Sequence, residues 1–211
     1  ASQKPTVIKT IDMENRPTAV NVRPNDGPRR AFIATQEGQL HIYDLGNYLN
    51  ASGGGAAAEI VRKGGVTVGR NPTHIAYAKP HDTNKVYTQG FDREVIVTSR
   101  GDRRIDWVQF AADFNSGVVR ANPLTDTRLV DPIAAEDAEN HGTESYVLSV
   151  ADYGGKQVSN YRYGPVVFWT NQGSGKACQP PDGCATNGTF EFGGSFALPG
   201  GPFQVSGSNI P

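Results

Sequence analysis

The sequence lacks the features that mark several large classes of protein. Its 211 residues carry 20 basic and 21 acidic side chains, so no excess of positive charge is present for nucleic acid or an anionic membrane. No apolar run approaches the roughly 18 residues that a membrane-spanning helix needs. We therefore expect no nucleic-acid partner and no membrane span.

Common catalytic and nucleotide-binding motifs are also missing. The chain has no nucleophile elbow, no P-loop and no Gly-x-Gly-x-x-Gly turn. The run Gly53-Gly54-Gly55 is not followed by Lys-Ser or Lys-Thr, so it is typical of a flexible tether and not of a phosphate-binding loop. The sequence assigns no catalytic residue, and whether the protein is an enzyme stays open.

Cysteine is scarce, and its two copies lie close together. Cys178 and Cys184 flank a Pro-Pro-Asp-Gly sequence that can turn the chain back on itself. A disulfide between them would contribute roughly 2 kcal/mol by restricting the unfolded chain, and it would indicate an oxidising compartment. Two unrelated thiols are the alternative. With no histidine nearby, they make a poor zinc site.

Glycine and proline are abundant, with 25 and 14 copies, and one proline-centred phrase recurs along the chain. Each copy has an apolar run, a short turn, one proline and a second apolar run. A loose period of roughly fifty to seventy residues is typical of a repeat architecture. The four prolines are Pro17, Pro72, Pro132 and Pro202.

Between these prolines, short apolar stretches flank turn signals. Residues 31–44 predict a β-hairpin, and residues 145–161 repeat the pattern. In the middle repeat, the hairpin can be drawn within residues 94–108, or with its first strand at residues 85–89. Each unit is then a strand after the proline, a hairpin, and a strand that leads to the next proline. This order predicts a four-stranded antiparallel meander.

The phrase Val-Gly-x-x-Pro-x-x-Ile-Ala at residues 68–76 is followed by a strand and a hairpin. It resembles the repeats of YVTN-type β-propellers, which are close to the lactonase-like propellers and the methylamine dehydrogenase heavy chain. Residues 32–35, 86–89 and 146–149 stand where the Tyr-Val-Thr-Asn signature is expected. The resemblance implies an all-β fold, a β-propeller of four-stranded antiparallel blades.

The repeats account for about three blades and two partial ones. A propeller usually has 4–8 blades, and an open one exposes sheet faces and strand edges. We therefore expect residues 1–211 to form a single propeller segment that the rest of the polypeptide or another protein completes. The predicted repeats lie near residues 17–71, 72–131 and 132–201, with a partial repeat at 202–211 and an outer strand at 6–11.

A histidine is the first candidate for a metal ligand. Some periplasmic propellers that resemble this chain hold copper through histidines in the central channel. The resemblance would make His74, on the strand after Pro72, a candidate copper ligand. Its counterparts in the other repeats are Ala19 and Ala134, so no ring of histidines forms. An ordinary polar position on a strand is the alternative.

The most polar part of the sequence is residues 131–144, and we expect a long loop here, between the strand that starts at Pro132 and the strand at Tyr146. Its closely spaced carboxylates and amide suit a hard cation such as Ca²⁺, although the spacing is not that of an EF-hand. A solvated acidic loop without a ligand is the alternative. The candidate ligands are Asp137, Glu139, His141 and Glu144.

Two functions follow as hypotheses, because a propeller is a scaffold that hosts many activities. The first is an exported, non-catalytic binding or structural module, periplasmic or extracellular, within a larger propeller or assembly. The second is a periplasmic propeller enzyme, either a metal-dependent oxidoreductase or a lactonase-like hydrolase. Some of its site residues would lie outside this chain.

Overall fold

The computed structural model describes residues 7, 9–22, 29–46, 60–77, 94–111, 113–119, 123–140, 145–163 and 190–206. Regular structure in these residues is β-strand, arranged in three antiparallel sheets. The predicted all-β class is confirmed. In this part of the chain, no helix has the length and apolar character needed to cross a membrane.

Sheets I and III are the four-stranded meanders that the repeats predict. In both, the spatial order of the strands follows the chain, and each strand pairs antiparallel with the next. The strands of sheet I are β1 (Pro17–Val22), β2 (Arg30–Thr35), β3 (Gln39–Asp44) and β4 (Val61–Thr67). Those of sheet III are β10 (Pro132–Asn140), β11 (Ser145–Asp152), β12 (Gln157–Tyr163) and β13 (Glu191–Ala197).

Sheet II departs from the four-stranded pattern. Its outer edge has two short strands, both paired with the third strand of the sheet. Its hairpin follows the register within residues 94–108, while residues 85–89 lie outside the described part of the chain. The strands are β5 (Pro72–Tyr77), β6 (Glu94–Ser99), β7 (Arg104–Phe110), β8 (Gly117–Val119) and β9 (Leu124–Thr125).

The three sheets share two local features, a β-bulge after the repeat proline and a residue with positive φ at the end of the hairpin turn. Each first strand (β1, β5 or β10) starts at a repeat proline, and its pairing register shifts within the next two residues. A β-bulge at this point lets the proline, which has no N–H to donate, begin a paired strand. Each hairpin turn ends in a residue with positive φ, at Gly38, Arg103 and Lys156.

The sheets stack face to face in chain order. We call the face of a sheet that looks toward the next sheet its front, and the other face its back. The front of sheet I packs on the back of sheet II, where Phe32 stacks on Phe110 with ring centroids 4.5 Å apart. This core is closely packed, and burying its apolar side chains is the main force that holds the two sheets together. Its buried members include Leu40, Ile42, Val66, Val95, Val97 and Val108.

A second core joins the front of sheet II to the back of sheet III. Trp107 of sheet II and Tyr161 of sheet III are its largest side chains, and both are buried. Each sheet therefore uses both faces, and its strands alternate between two apolar surfaces. Such strands are continuous apolar runs in the sequence, because successive side chains point to opposite faces. Ile96 and Val97, for example, lie in different cores.

The described residues of the two predicted partial strands are not in β-structure. Residues 9–13 are irregular, although Ile11 and Met13 cover part of the back of sheet I beside Ala31 and Tyr43. Residues 201–206 are also irregular and carry no ladder. An extended segment becomes a strand only when a partner supplies the ladder, and none of the described residues does so here.

Candidate functional site: the first strands and the contacts between sheets

The first strands β1, β5 and β10 lie next to one another, so the polar groups of the repeats gather at one place. Asn21 of β1 donates from Nδ2 to the carbonyl oxygen of Ile75 on β5 at 2.8 Å. Thr73 of β5 donates from Oγ1 to the carbonyl oxygen of Ile133 on β10, also at 2.8 Å. These bonds satisfy strand-edge carbonyls that no ladder reaches, so polar side chains are required at the first strands on structural grounds.

His74 lies on β5, as predicted, and most of its side chain is buried. Its Nε2 is 3.6 Å from Oε1 of Glu136 on β10, which is beyond hydrogen-bond length. The imidazole hydrogen-bonds to the backbone of Ala135, and its Nδ1 has no partner. Burial lowers the pKa of His74 from its usual value, and the hydrogen bond to Ala135 acts in the opposite direction.

The contact of His74 with Ala135 links β5 to β10, as the hydrogen bond from Asn21 links β1 to β5. Both side chains hydrogen-bond to the backbone of the next first strand, at the third position after its proline. The pairing register places Ala19 and Ala134 at the positions equivalent to His74. Among the described residues, no group of three His, Cys, Asp or Glu side chains could hold a metal ion.

The predicted acidic loop is in large part a strand, and this expectation was wrong. Asp137 and Glu139 lie within β10, where they pair with Leu148 and Tyr146 of β11. The hairpin between β10 and β11 is therefore shorter than residues 131–144. His141 and Glu144 lie outside the described residues, so the four candidate calcium ligands are not seen together.

Cys178 and Cys184 both fall in the stretch between β12 and β13 that lies outside the described residues. Their disulfide stays a prediction from the Pro-Pro-Asp-Gly turn.

A buried arginine joins sheets I and II. Arg30 on β2 pairs with Asp44, its Nη1 lying 2.7 Å from Oδ1. Its Nη2 donates to the carbonyl oxygen of Asp113 at 2.9 Å and to Oδ1 of Asn115 at 3.0 Å, both in the loop before β8. Its Nε donates to the carbonyl oxygen of Phe114. The planar guanidinium thereby fastens a loop of one sheet to a strand of another, which suits its fixed fork of donors.

Two buried aspartates hold the links that connect one sheet to the next. Asp106 on β7 accepts the backbone N–H of Gly69 at 2.7 Å, and Asp152 on β11 accepts the backbone N–H of Asp131 at 2.6 Å. Burial raises the pKa of Asp106, while the bonds from Gly69 and from Arg104 oppose that rise. These carboxylates bind backbone donors, so their burial has a structural explanation and gives no sign of catalysis.

A further contact closes the outer part of sheets II and III. The Tyr161 hydroxyl donates to Oδ2 of Asp126 at 3.0 Å, and burial raises the tyrosine pKa well above its usual range. Arg128, two residues after Asp126 in the chain, lies over the Phe192 ring at 4.1 Å from its centroid. Assembly of the stack thus accounts for these polar contacts between sheets.

Sequence reasoning missed Arg30, Asp106, Asp126 and Asp152. Arg30, Asp106 and Asp152 are each directly beside apolar strand residues, and a charged residue in that position is the signal which could have found them. Their partners in neighbouring sheets and links are 21 to 85 residues away in the chain, so the signal could not have named the contacts.

Comparison with known proteins identifies no family for this chain. No protein-family model matches the chain, and no curated protein matches it.

Proposed function

We propose that this chain is part of an exported β-propeller of the YVTN type, which acts as a non-catalytic binding or structural module. The observation that carries the proposal is the stacking of three meander sheets in chain order, with their first strands side by side. In a propeller, blades stack in this way around an axis that the first strands line. The polar contacts between sheets serve assembly, which favours a scaffold over a catalytic centre.

Two measurements on the intact native protein test this proposal. Small-angle scattering, or a structure of the whole particle, should show a closed ring of four or more sheets. Metal analysis of the same sample should show no stoichiometric transition metal. An open stack would refute the propeller, while bound copper would favour the alternative, a periplasmic oxidoreductase with further ligands elsewhere.

The redox state of the two cysteines tests whether the protein is exported. If Cys178 and Cys184 are joined, alkylation under non-reducing conditions adds no label, and reduction exposes two thiols. Two thiols that react before reduction would remove the main argument for a periplasmic or extracellular location.

Calcium binding at Asp137 and Glu139 is a separate question within the same proposal. A cation that binds only the folded state raises its melting temperature. We expect a site formed with His141 or Glu144 to give such a shift at millimolar Ca²⁺, and Asp137→Asn to remove it. An unchanged melting temperature in both calcium and chelator would favour the alternative, acidic residues without a bound cation.

A further inference from the structure

Sheet III has a front face that is built like those of sheets I and II but is not covered like them. Register equates Phe196 on β13 with Val66 on β4, because Val158 and Leu40 are their respective partners at the start of the third strand. Val66 is 7% exposed between sheets I and II, whereas Phe196 is 63% exposed. Two residues further on, Val68 is 5% exposed and Leu198 is 38% exposed.

A glycine at the outer strand gives an independent comparison. Gly64 on β4 and Gly194 on β13 are equivalent, since each lies beside a register shift two positions before Val66 or Phe196. A Cβ on Gly64 would meet the carbonyl oxygen of Asn115 at 2.5 Å, because the loop of sheet II presses against this point. A Cβ on Gly194 would have nothing within 4 Å.

The segment after sheet III follows the path of the earlier links between sheets. Leu198 donates its N–H to the carbonyl oxygen of Lys156, as Val68 does to Gly38. Val205, three residues after Pro202, packs against Ala134 and Ala151 on the front of sheet III.

In the earlier sheets, the residue three positions after the repeat proline also packs on the front of the preceding sheet. Ile75, three residues after Pro72, belongs to the core that includes Ala34 at the front of sheet I. Ala135, three residues after Pro132, packs in the core at the front of sheet II. Residues 202–206 thus occupy the place of a first strand, although they lack a ladder partner.

We propose that the front of sheet III is a docking surface for a further antiparallel β-sheet whose innermost strand begins at Pro202. This rests on the proposed function, which it deepens by naming the surface and the kind of partner. A second copy of the chain is a poorer occupant, because its β1 would have to take the place that residues 202–206 already hold.

The residues of this surface indicate the chemistry of its partner. Near the hairpin turn it is apolar, with Ala151, Val158 and Phe196. Further along, Ser149 and Asn160 stand where sheet I has Phe32 and Ile42, and the Ser149 hydroxyl bonds to Asn160 Oδ1 at 2.7 Å. The back of the docked sheet should therefore be apolar at the turn end and offer hydrogen-bonding groups opposite Ser149 and Asn160.

Hydroxyl-radical footprinting with peptide mass spectrometry tests the surface. The samples are the 211-residue chain, diluted until light scattering shows monomers, and the native protein isolated from its source. Phe196 and Phe203 should be oxidised rapidly in the isolated chain and as slowly as buried Phe32 in the native protein. Crosslinking should join the protected face to a segment outside residues 1–211.

Three outcomes would overturn the inference. Phe196 that stays reactive in the native protein would show an open face, and Phe196 already protected in the monomeric chain would show that the chain covers itself. A discrete dimer that protects Phe196 would assign the surface to a second copy. Scattering reports separately on the ring: a protected Phe196 in an open stack would refute the propeller alone, and a reactive Phe196 in a closed ring would refute the docking surface alone.

Discussion

Arg30 connects sheets I and II through contacts with both. It is buried, and its donors reach Asp44, Asn115 and the carbonyl oxygens of Asp113 and Phe114. A lysine cannot reproduce this fork, and removal of the guanidinium leaves these acceptors unpaired.

We expect Arg30→Ala to lower the free energy of unfolding by about 3 kcal/mol, in the range found when one partner of a buried ion pair is removed. Urea denaturation followed by tryptophan fluorescence measures the loss. Arg70→Ala is the matched control, because Arg70 pairs with Asp102 at the surface and most of its side chain is exposed. Equal losses in the two variants would mean that Arg30 does not hold the sheets together.

His74 should make the stability depend on pH. Its folded-state pKa is below the usual 6.5, so the unfolded chain takes up the proton first as pH falls. Stability is therefore retained above the unfolded pKa and declines below about 6.5, until the folded form also protonates. The groups beside the imidazole are the Glu136 carboxylate and the backbone of Ala135.

The test compares wild type and His74→Asn by denaturation at about pH 7.5 and pH 5.5, on either side of the ordinary histidine pKa. The variant should lose less stability than wild type across this interval. His41, whose pKa burial also lowers, accounts for part of what remains. Identical losses of stability in the two proteins would show that protonation of His74 does not destabilise the folded state.

At the scale of elements, the hairpin turns position the links between sheets. Gly38 ends the turn between β2 and β3 with φ of 86°, and its carbonyl oxygen accepts the N–H of Val68. A Cβ there would lie 2.7 Å from the carbonyl oxygen of Val68, so the link leaves no room for a side chain.

Gly38→Ala should therefore destabilise the fold by about 2 kcal/mol, combining left-handed backbone strain with the clash. Thermal melting measures the effect. Gly200→Ala is the control, because a Cβ on Gly200 would have nothing within 4 Å, and this variant should melt as wild type does. A neutral Gly38→Ala would mean that the link moves aside at little cost.

At the scale of the whole molecule, the stack ends in incompletely covered faces. Exposed Val20 and Val22 lie on β1, exposed Phe196 lies on the front of sheet III, and exposed Phe203 lies in the segment that follows this sheet. Exposed apolar faces and unpaired edges favour association between sheets. The chain alone should therefore self-associate as its concentration rises, forming open-ended species.

Size-exclusion chromatography with light scattering follows this association. Phe196→Ser should reduce it without lowering the melting temperature, while Val66→Ser, at the equivalent covered position, should lower the melting temperature. A cooperative, monodisperse monomer of 22.6 kDa at high concentration would contradict the expectation.

The all-β class and the repeated meander could be predicted from the sequence, because proline spacing and short apolar runs between turns are local signals. Pro17, Pro72 and Pro132 each start a sheet, and the position of His74 on a strand followed from the same pattern. The length of the acidic loop was misjudged, since charge along residues 131–140 does not prevent a strand whose ladder comes from β11.

Which faces meet, and which polar residues join them, depends on contacts between residues that are far apart in the chain. Arg30 reaches Asn115 across 85 residues of chain, and no local pattern encodes a contact at that separation. The difference between Val66 and Phe196 is likewise invisible in the sequence, because both are apolar residues at the same repeat position. Burial depends on whether another sheet lies against them, and stacking determines that.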